Sequence, residues 1–316
     1  MDNKIYSIPL MTKISEMYYY EKLSQNEIAK KLKISTSTVS RILTKALNEG
    51  IIKVEIIDIQ EKHKLLEQKL KKRYQLLDVV VLNTIENIKP VELKKSLGKS
   101  AGEKIFDLLK PGQLLGIGPG ETMLEMINSI NPQKIIGGIR VIPLMGAWSR
   151  GPVENEVNKL VHLISSKLFC DYFILPAPAY VSSEEIKNIL LDEPYIKEIT
   201  SLWESVDVAI FSTGIDTYFG VPVQLVNEKD VIKKARKENG VGDILGNIID
   251  EKGQEIKIEL NKRLISIPLK VLKNIPLKIC VSGGPAKFRS IRGALNSQLI
   301  NVLITDKQTA DLLLTE

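Results

Sequence analysis

The stretch "LSQNEIAKKLKISTSTVSRILTKALNEG", residues 23–50, carries the signals of two short helices with a turn between them. Ser24 precedes Glu27 by three residues, which is the pattern of a capping box at a helix start. The apolar periodicity then breaks, and Ser35 can cap a second helix that ends before Gly50. Two short helices joined by a turn of about three or four residues are typical of a helix-turn-helix.

The outer face of the second predicted helix carries short hydroxyl groups and cations. Such groups near the start of a recognition helix meet base edges and phosphates in the major groove of DNA. The alternative is a helical hairpin with a polar face. The small Ala29, where the two helices approach each other, and the β-branched Ile34 and Val39, which fill the space between them, favour DNA binding. The predicted DNA contacts are Lys31, Thr36, Ser37, Thr38, Ser40, Arg41, Thr44 and Lys45.

The neighbouring segments complete this unit and connect it to the rest of the chain. A helix at about residues 12–21 is predicted as its third helix, and the strand-like stretch at 51–57 is expected to form a wing. Residues 58–77 are predicted to form a charged helix, which either packs against a partner chain or lies on the surface of the next domain. The predicted domains are 1–57, the linker helix 58–77 and a larger domain at 78–316.

The composition is that of a globular protein. Of 316 residues, 44% are hydrophobic and 26% charged, and the basic excess per residue is highest in residues 1–56, which hold nine Lys or Arg and six Asp or Glu. Cys170 and Cys280 lie in apolar runs, which predicts buried free thiols in a cytoplasmic protein. Since there is no long apolar stretch, and His63 and His162 lack ligand spacing, we expect no membrane span, no metal site and no cofactor.

Beyond residue 78, short apolar runs alternate with helical stretches, which are predicted at 92–109, 121–130, 154–168, 183–201 and 285–296. Seven runs are predicted to be buried parallel strands, because strands covered on both faces are continuously apolar. They are "DVVVL", "QLLGIG", "IRVIPLMG", "YFILPAP", "VDVAIFSTG", "LKICVSGG" and "INVLITD". The sequence therefore predicts an all-α helix-turn-helix domain followed by a doubly wound α/β domain, whose ligands lie at the carboxyl ends of the strands.

One predicted strand ends in the glycine-rich turn of "LLGIGPGETM". Backbone N–H groups at the start of a helix can bind a phosphate. Gly118 and Gly120, with Glu121 and Thr122 at the start of the following helix, are therefore predicted to bind an anion. A plain tight turn explains the same glycines equally well.

A second strand ends in the same way, at Gly283 and Gly284. Lys287 follows in the first turn of the next helix, where the helix dipole disfavours a cation unless an anion is bound. Two glycine turns and a lysine together favour an anion site. The loops after other strands add the predicted ligands Met145, Gly146, Asp216 and Asp243.

In this order, the motifs resemble the SorC/DeoR-like family of bacterial sugar-binding transcriptional regulators. The resemblance covers nearly the whole chain and includes the helix-turn-helix, "GIGPGETM", "VIPLMGAW", "YFILPAPAYVSS", "VDVAIFSTGI", "GVGDILGNIID" and "ICVSGGPAKFRSIRGAL". It implies a C-terminal domain similar in fold to glucosamine-6-phosphate deaminase and ribose-5-phosphate isomerase, without their catalysis. It also implies operator DNA and a sugar-phosphate effector as partners, and a homodimer or homotetramer.

The resemblance also implies roles for individual residues. The effector's phosphate would contact the first glycine turn and Lys287, and its sugar hydroxyls would contact Glu156, Asp243 and the loop at Met145. Glu121 departs from the family pattern, which often has glycine, threonine or arginine at this position, and its charge would repel a phosphate. Met145 departs as well, because some members have an arginine or lysine there that contacts the ligand. An unphosphorylated sugar is therefore an alternative effector.

An enzyme is the second hypothesis, namely an isomerase or deaminase acting on sugar phosphates. It would need a general base and a proton donor that face the sugar. Glu121, Glu156, Asp216 and Asp243 could supply carboxylates, but no histidine partner accompanies them, and the helix-turn-helix would be unexplained. A protein-interaction adaptor is a third hypothesis, and no sequence feature favours it.

Overall fold

The computed structural model describes residues 6–53, 59–84, 88–131, 135–148, 153–215 and 229–315. The chain divides into two compact units, Met1–Ile59 and Gln60–Glu316. No helix in these described ranges is both long and apolar enough to cross a lipid bilayer.

The first unit is a bundle of three helices, α1 Ile8–Tyr19, α2 Gln25–Leu32 and α3 Thr36–Asn48. The predicted capping box is confirmed, since Ser24 Oγ accepts from the Glu27 N–H at 3.3 Å and Glu27 Oε2 accepts from the Ser24 N–H at 2.8 Å. α1 begins about four residues earlier than predicted, because Pro9 is compatible with a first helical turn. Residues 51–53 form no strand, and the rest of the predicted wing lies outside the described residues.

The core of this unit contains the residues that the helical periodicity placed inside it. Ile28 and Ala29 of α2 pack against Val39 and Ile42 of α3, and all four are buried. α2 ends at Lys33, whose left-handed φ of 52° turns the chain into α3. The helix-turn-helix prediction is confirmed.

In the second unit, the described strands form one seven-stranded parallel sheet and one hairpin. In chain order they are β1 Asp78–Leu82, β2 Leu114–Ile117, β3 Arg140–Pro143, β4 Asp171–Tyr172, β5 Val208–Phe211, the hairpin strands β6 Gly242–Ile244 and β7 Asn247–Ile249, β8 Leu277–Val281 and β9 Val302–Asp306. The sheet order is β1-β9-β8-β5-β2-β3-β4. β2 and β5, in its middle, are buried at every position, as expected for strands covered on both faces.

Helices cover both faces of this sheet. In chain order they are α4 Ile59–Tyr74, α5 Pro90–Leu108, α6 Glu121–Ser129, α7 Val157–Leu168, α8 Glu184–Asp192, α9 Pro194–Ser201, α10 Lys229–Lys237, α11 Glu259–Lys262, α12 Leu269–Asn274, α13 Phe288–Asn296 and α14 Lys307–Thr315. α5, α6 and α7 pack on one face, whereas α4, α9, α12, α13 and α14 pack on the other. The predicted doubly wound α/β domain is confirmed.

Three local predictions were inaccurate. The "YFILPAP" strand is limited to Asp171–Tyr172, because Pro176 and Pro178 lack the N–H groups that a ladder needs. Residues 183–201 form two helices, which Pro194 separates. Cys280 is buried as predicted, but Cys170 is partly exposed.

The helix predicted at 58–77 is present as α4. Its Leu70 is fully buried in the core of the second unit, and Leu66 and Tyr74 pack against the same core. Glu67 Oε1 accepts from the Val81 N–H at 2.9 Å, so α4 covers the outer edge of β1. These described side chains lie on the α/β domain, while Leu65 remains half-exposed.

Candidate functional site

The sheet topology places the candidate site at the carboxyl ends of its central strands. From β2 the chain adds strands outward to β3 and β4, and from β5 it adds strands in the opposite direction, to β8 and β9. β2 and β5 are hydrogen-bonded neighbours, so the order reverses between them. Ligands of open α/β sheets bind beside such a reversal.

The first glycine turn follows β2 at this reversal. The Gly118 N–H donates to the Ile210 carbonyl at 2.9 Å, and the Gly120 N–H donates to the Asn155 carbonyl at 3.2 Å. Gly120 has a φ of 119°, which only glycine adopts without strain. Since α6 has no side-chain cap from the residues that the structure describes, the N–H groups of its first turn, including that of the buried Thr122, are the donors this turn offers to a ligand.

Glu121, the first residue of α6, forms an ion pair with Lys94 of α5. The glutamate side chain is 52% exposed and the lysine side chain 34% exposed, so both remain accessible to a ligand. Sequence reasoning missed Lys94, because it lies about 27 positions earlier and only the packing of α5 against α6 brings the two together. The pairing offsets the repulsion that Glu121 alone would exert on a phosphate.

The second glycine turn, after β8, is held by the end of β9. The Gly284 N–H donates to Asp306 Oδ2 at 2.7 Å and to Thr309 Oγ1 at 2.8 Å. Any side chain on Gly283 would collide with the same carboxylate. The Gly284 amide, predicted as an anion ligand, is therefore already engaged within the protein, and this turn presents the Lys287 side chain instead.

Lys287 lies in a 3₁₀ turn just before α13, and its Nζ donates to Ser212 Oγ at 2.9 Å. The pKa of this lysine is lowered to about 8, mainly by burial and also by the charge of Lys94, against the raising by Cys280, Asp243 and Glu121. Two cations and two carboxylates therefore meet at the ends of β2, β5 and β8. Such a mixed cluster can bind an anionic group and hydroxyl groups side by side.

A chain of hydroxyl groups lies beside Lys287. Thr213 Oγ1 lies 2.9 Å from Ser282 Oγ, and Ser290 Oγ donates to Thr213 Oγ1 at 3.0 Å. Thr213, Ser282 and Ser290 are all buried, and Ser212 joins the chain at its partly buried end. Sequence reasoning did not name these residues, although the quoted "FSTG" and "VSGG" strand ends contain three of them.

Asp243 enters the site on the β6–β7 hairpin. The hairpin turn passes through Leu245 and Gly246, both at positive φ, and packs Leu245 so closely on the first glycine turn that Gly118 has no room for a side chain. The sequence showed no alternation that predicts this hairpin, because each of its strands has only three residues.

The Asp243 carboxylate is incompletely satisfied. It is 7% exposed, and its Oδ2 accepts from the Gly246 N–H at 3.1 Å, whereas the buried Oδ1 has no hydrogen-bond partner among the described residues. Burial raises the pKa of Asp243 to about 6, against the lowering by the Gly246 N–H and by the charge of Lys287. A buried acceptor without a donor is costly, so this oxygen is a site where a ligand hydroxyl would be stabilising.

The loop after β3 lies on the same side of the sheet. Met145 is fully buried and packs beside Gly246. Gly146 lies against the Pro178 carbonyl, which leaves no space for a Cβ. Tyr180 donates to the Gly246 carbonyl at 2.7 Å and stacks on Trp148 with ring centroids 6.0 Å apart. These aromatic rings form an apolar wall beside Asp243.

Of the two remaining predicted ligands, the structure describes Glu156 but not Asp216. Glu156 is the N-cap of α7, and its carboxylate accepts from the Asn158 and Lys159 N–H groups at 3.0 and 3.2 Å. It lies next to Asn155, which holds the first glycine turn, but its oxygens already have partners. Asp216 lies outside the described residues. Among the described residues, no cluster of His, Cys, Asp and Glu could hold a metal ion.

The predicted DNA interface lies on the outer side of α3. Thr36, Ser37, Ser40, Arg41 and Thr44 are exposed. Three of the predicted DNA contacts already form hydrogen bonds within the protein. The Thr36 hydroxyl donates to Asn26 Oδ1, and the Thr44 hydroxyl donates to the Ser40 carbonyl. Thr38 Oγ1 lies 2.7 Å from Ser35 Oγ. Lys31 and Lys45 lie 3.7 and 3.6 Å from Glu21 and Glu49, as exposed or partly exposed pairs that phosphates could replace.

Comparisons with known proteins agree with these two units. The family model Sugar-bind, which describes a sugar-binding domain, matches residues 59–315, and the model of sigma-70 region 4 matches residues 12–49. The transcriptional regulator LsrR of Enterobacter sp. (strain 638) is 30% identical over 306 residues, or 95% of this chain and 91% of that protein. The deoxyribonucleoside regulator of Bacillus subtilis is 28% identical over 310 residues, covering 97% of each.

Solved structures show the same likeness. The full-length sorbitol operon regulator SorC from Klebsiella pneumoniae has a TM-score of 0.76 at 26% identity, and the match covers 99% of this chain and 100% of SorC. A helix-turn-helix joined to an α/β sugar-binding domain defines a DNA-binding regulator of transcription. This chain belongs to the Sugar-bind family and, within it, groups with the SorC, LsrR and DeoR-type regulators.

Proposed function

We propose that the affinity of this regulator for its operator is set by a sugar phosphate bound at the carboxyl ends of β2, β5 and β8. The observation that carries the proposal is the buried Oδ1 of Asp243, which has no partner in the described part of the chain, in a cluster that also holds Lys287, Lys94 and Glu121. A buried acceptor calls for a donor such as a sugar hydroxyl, and the two lysines supply charge for a phosphate.

The two ends of the effector are proposed to bind different parts of the site. The phosphate would lie against the first turn of α6, between Lys94 and Lys287, where helix dipole and cations both favour an anion. The sugar hydroxyls would donate to Asp243 and lie against Tyr180, with Glu156 and the loop at Met145 bordering them. An unphosphorylated sugar would use only the second half.

The second candidate is a sugar-phosphate isomerase or deaminase. It is favoured by one observation, the raised pKa of Asp243 beside the lowered pKa of Lys287, since paired groups with shifted pKa values can exchange protons with a substrate. We propose that the chain is a regulator and not an enzyme. Its relatives are named as regulators, and its DNA-binding unit has no role in such a reaction.

A homodimer or homotetramer is part of the proposal. One helix-turn-helix reads one half-site, so a two-fold operator requires two copies of the chain. Light scattering of the full chain with operator bound tests this, and a monomeric complex would contradict it.

The central experiment is a thermal-shift screen of the full chain against pentose and hexose phosphates and the matching free sugars. A compound that binds only the native state raises the melting temperature. The best compound is then added to an operator fragment, isolated by selection from random DNA, whose binding is followed by fluorescence anisotropy. A shift in operator affinity without turnover of the compound supports the proposal, whereas turnover supports the enzyme.

A further inference from the structure

The C-terminal helix, α14, has each of its ends bonded to a different functional part of the molecule. At its N-terminus, Asp306 Oδ1 accepts from the Thr309 N–H at 3.1 Å, and Oδ2 accepts from Thr309 Oγ1 at 2.6 Å. The same carboxylate and the same hydroxyl hold the Gly284 N–H of the candidate effector site. The cap of α14 and the glycine turn are therefore one hydrogen-bonded unit.

At the opposite end, α4 supplies the bonding partners. The last carbonyls of a helix have no partner within it. Here Tyr74 Oη donates to the Leu313 carbonyl at 2.9 Å, and Arg73 Nη1 donates to the Leu314 carbonyl at 2.7 Å. Leu70 of α4 is fully buried in the same core cluster as Leu313. The C-terminus of α14 is thus fastened to α4.

α4 is also the segment through which the α/β domain continues toward the DNA-binding unit, because it begins at Ile59, where the first unit ends. α13 starts directly after Lys287, and its buried Ile291 and Leu295 belong to the core cluster that contains Leu70 of α4. Two elements that leave the effector site therefore pack in the core that holds α4.

We propose that α14 transmits the state of the effector site to α4, with Asp306 and Thr309 as its input and Tyr74 and Arg73 as its output. A ligand that shifts the Gly284 turn must shift the cap of α14, and a nine-residue helix moves as a rigid rod that carries its C-terminal carbonyls with it. α4 is held to β1 by Glu67, so movement at Tyr74 tilts α4 rather than translating it. This inference rests on the proposed effector site.

The output end is tested with Tyr74→Phe in the full chain, which removes one donor and keeps the ring. The matched control is Tyr195→Phe, at an exposed tyrosine of α9. The probe is the sugar or sugar phosphate that gives the largest melting shift in the panel above. We expect Tyr74→Phe to bind this probe within about twofold of wild type, while the probe-induced change in operator affinity falls about threefold to tenfold. An unchanged ratio would overturn the proposal.

The input end is tested without any ligand, by hydrogen exchange of residues 66–74. Thr309→Val removes the hydroxyl that joins the Gly284 turn to α14, and Thr200→Val, whose hydroxyl bonds only within α9, is the control. We expect faster exchange in the last turns of α4 for Thr309→Val alone. Equal exchange in both variants would contradict transmission through α14. If no panel compound alters operator binding, the effector proposal fails, and this exchange measurement still decides the coupling.

Discussion

Asp306, the last residue of β9, and Asp243, within the short strand β6, are two buried carboxylates that differ in how far their oxygens are satisfied. Asp306 is 1% exposed, and its oxygens accept from the Gly284 N–H, the Thr309 N–H and the Thr309 hydroxyl. Asp243 is 7% exposed, and one of its oxygens has no partner among the residues that the structure describes. Similar burial therefore accompanies two different states: the satisfied carboxylate fixes the fold, and the unsatisfied one is the proposed acceptor for a ligand.

The largest expected effect is on stability at Asp306. Asp306→Asn places an amide where Thr309 and Gly284 present donors, and we expect the free energy of unfolding to fall by about 2–4 kcal/mol. Asp243→Asn should change it by less than about 1 kcal/mol near pH 5, since few donors lose their acceptor. Urea denaturation of both variants measures the contrast. Equal losses would show that the two carboxylates play the same structural role.

The second effect concerns pH. Asp243 has a folded pKa of about 6 against an ordinary value of 3.8, so the folded chain holds this proton more tightly than the unfolded chain. The stabilisation is present below pH 4 and is lost as pH rises through 6, by about 2–3 kcal/mol. Asp243 interacts electrostatically with two other titratable groups, Lys287 and Tyr180.

Relative to Asp243→Asn, the wild type should therefore lose about 2–3 kcal/mol of unfolding free energy between pH 4 and pH 8. Asp192→Asn, at an exposed carboxylate of α8, serves as the control. A difference between wild type and Asp243→Asn that stays constant across this range would contradict the unsatisfied state of Asp243.

The third prediction tests whether the cluster that contains Asp243 and Lys287 binds the ligand. Lys287→Ala should weaken binding of the panel phosphosugar about 10- to 100-fold, or about 1.5–3 kcal/mol, because a charged hydrogen bond is lost. Operator binding without effector should be unchanged. Calorimetric titration measures this, and Lys270→Ala, an exposed lysine of α12, is the control. Equal affinities of the two variants for the phosphosugar would show that Lys287 does not contact it.

The smallest expected effect concerns the DNA-binding unit, where a weakly bonded side chain and a well-bonded one can again be compared. Arg41 is exposed and makes one long hydrogen bond, 3.4 Å from its Nε to the Ser37 carbonyl, whereas the Thr38 hydroxyl is held by Ser35. Arg41→Ala should weaken specific operator binding by about 1–3 kcal/mol, and Thr38→Ala by less than about 1 kcal/mol. Anisotropy titrations measure both. A larger loss for Thr38→Ala would show that Thr38, and not the weakly bonded Arg41, contacts the bases.

The sequence predicted the elements that depend on local signals. The capping box at Ser24, the apolar stripe of α3 and six of the seven predicted strands follow from patterns within a few residues, and the structure confirms them. The "YFILPAP" strand is the exception, since it is limited to Asp171–Tyr172. The β6–β7 hairpin was missed because its strands are too short to show alternation. The Lys94–Glu121 pair and the role of Asp306 were missed for another reason: their partners lie about 20 or more positions away and meet only in the folded chain.

The bond from Glu67 to the Val81 N–H has a practical consequence for dissecting the chain. β1 is the last strand of the sheet, and an uncovered outer strand offers a row of free N–H and C=O groups to a second molecule. A fragment cut at residue 78 would begin with that strand bare and would pair edge to edge into aggregates. A fragment cut at residue 59 keeps its cover, so the cleavage point decides whether the isolated domain stays monodisperse.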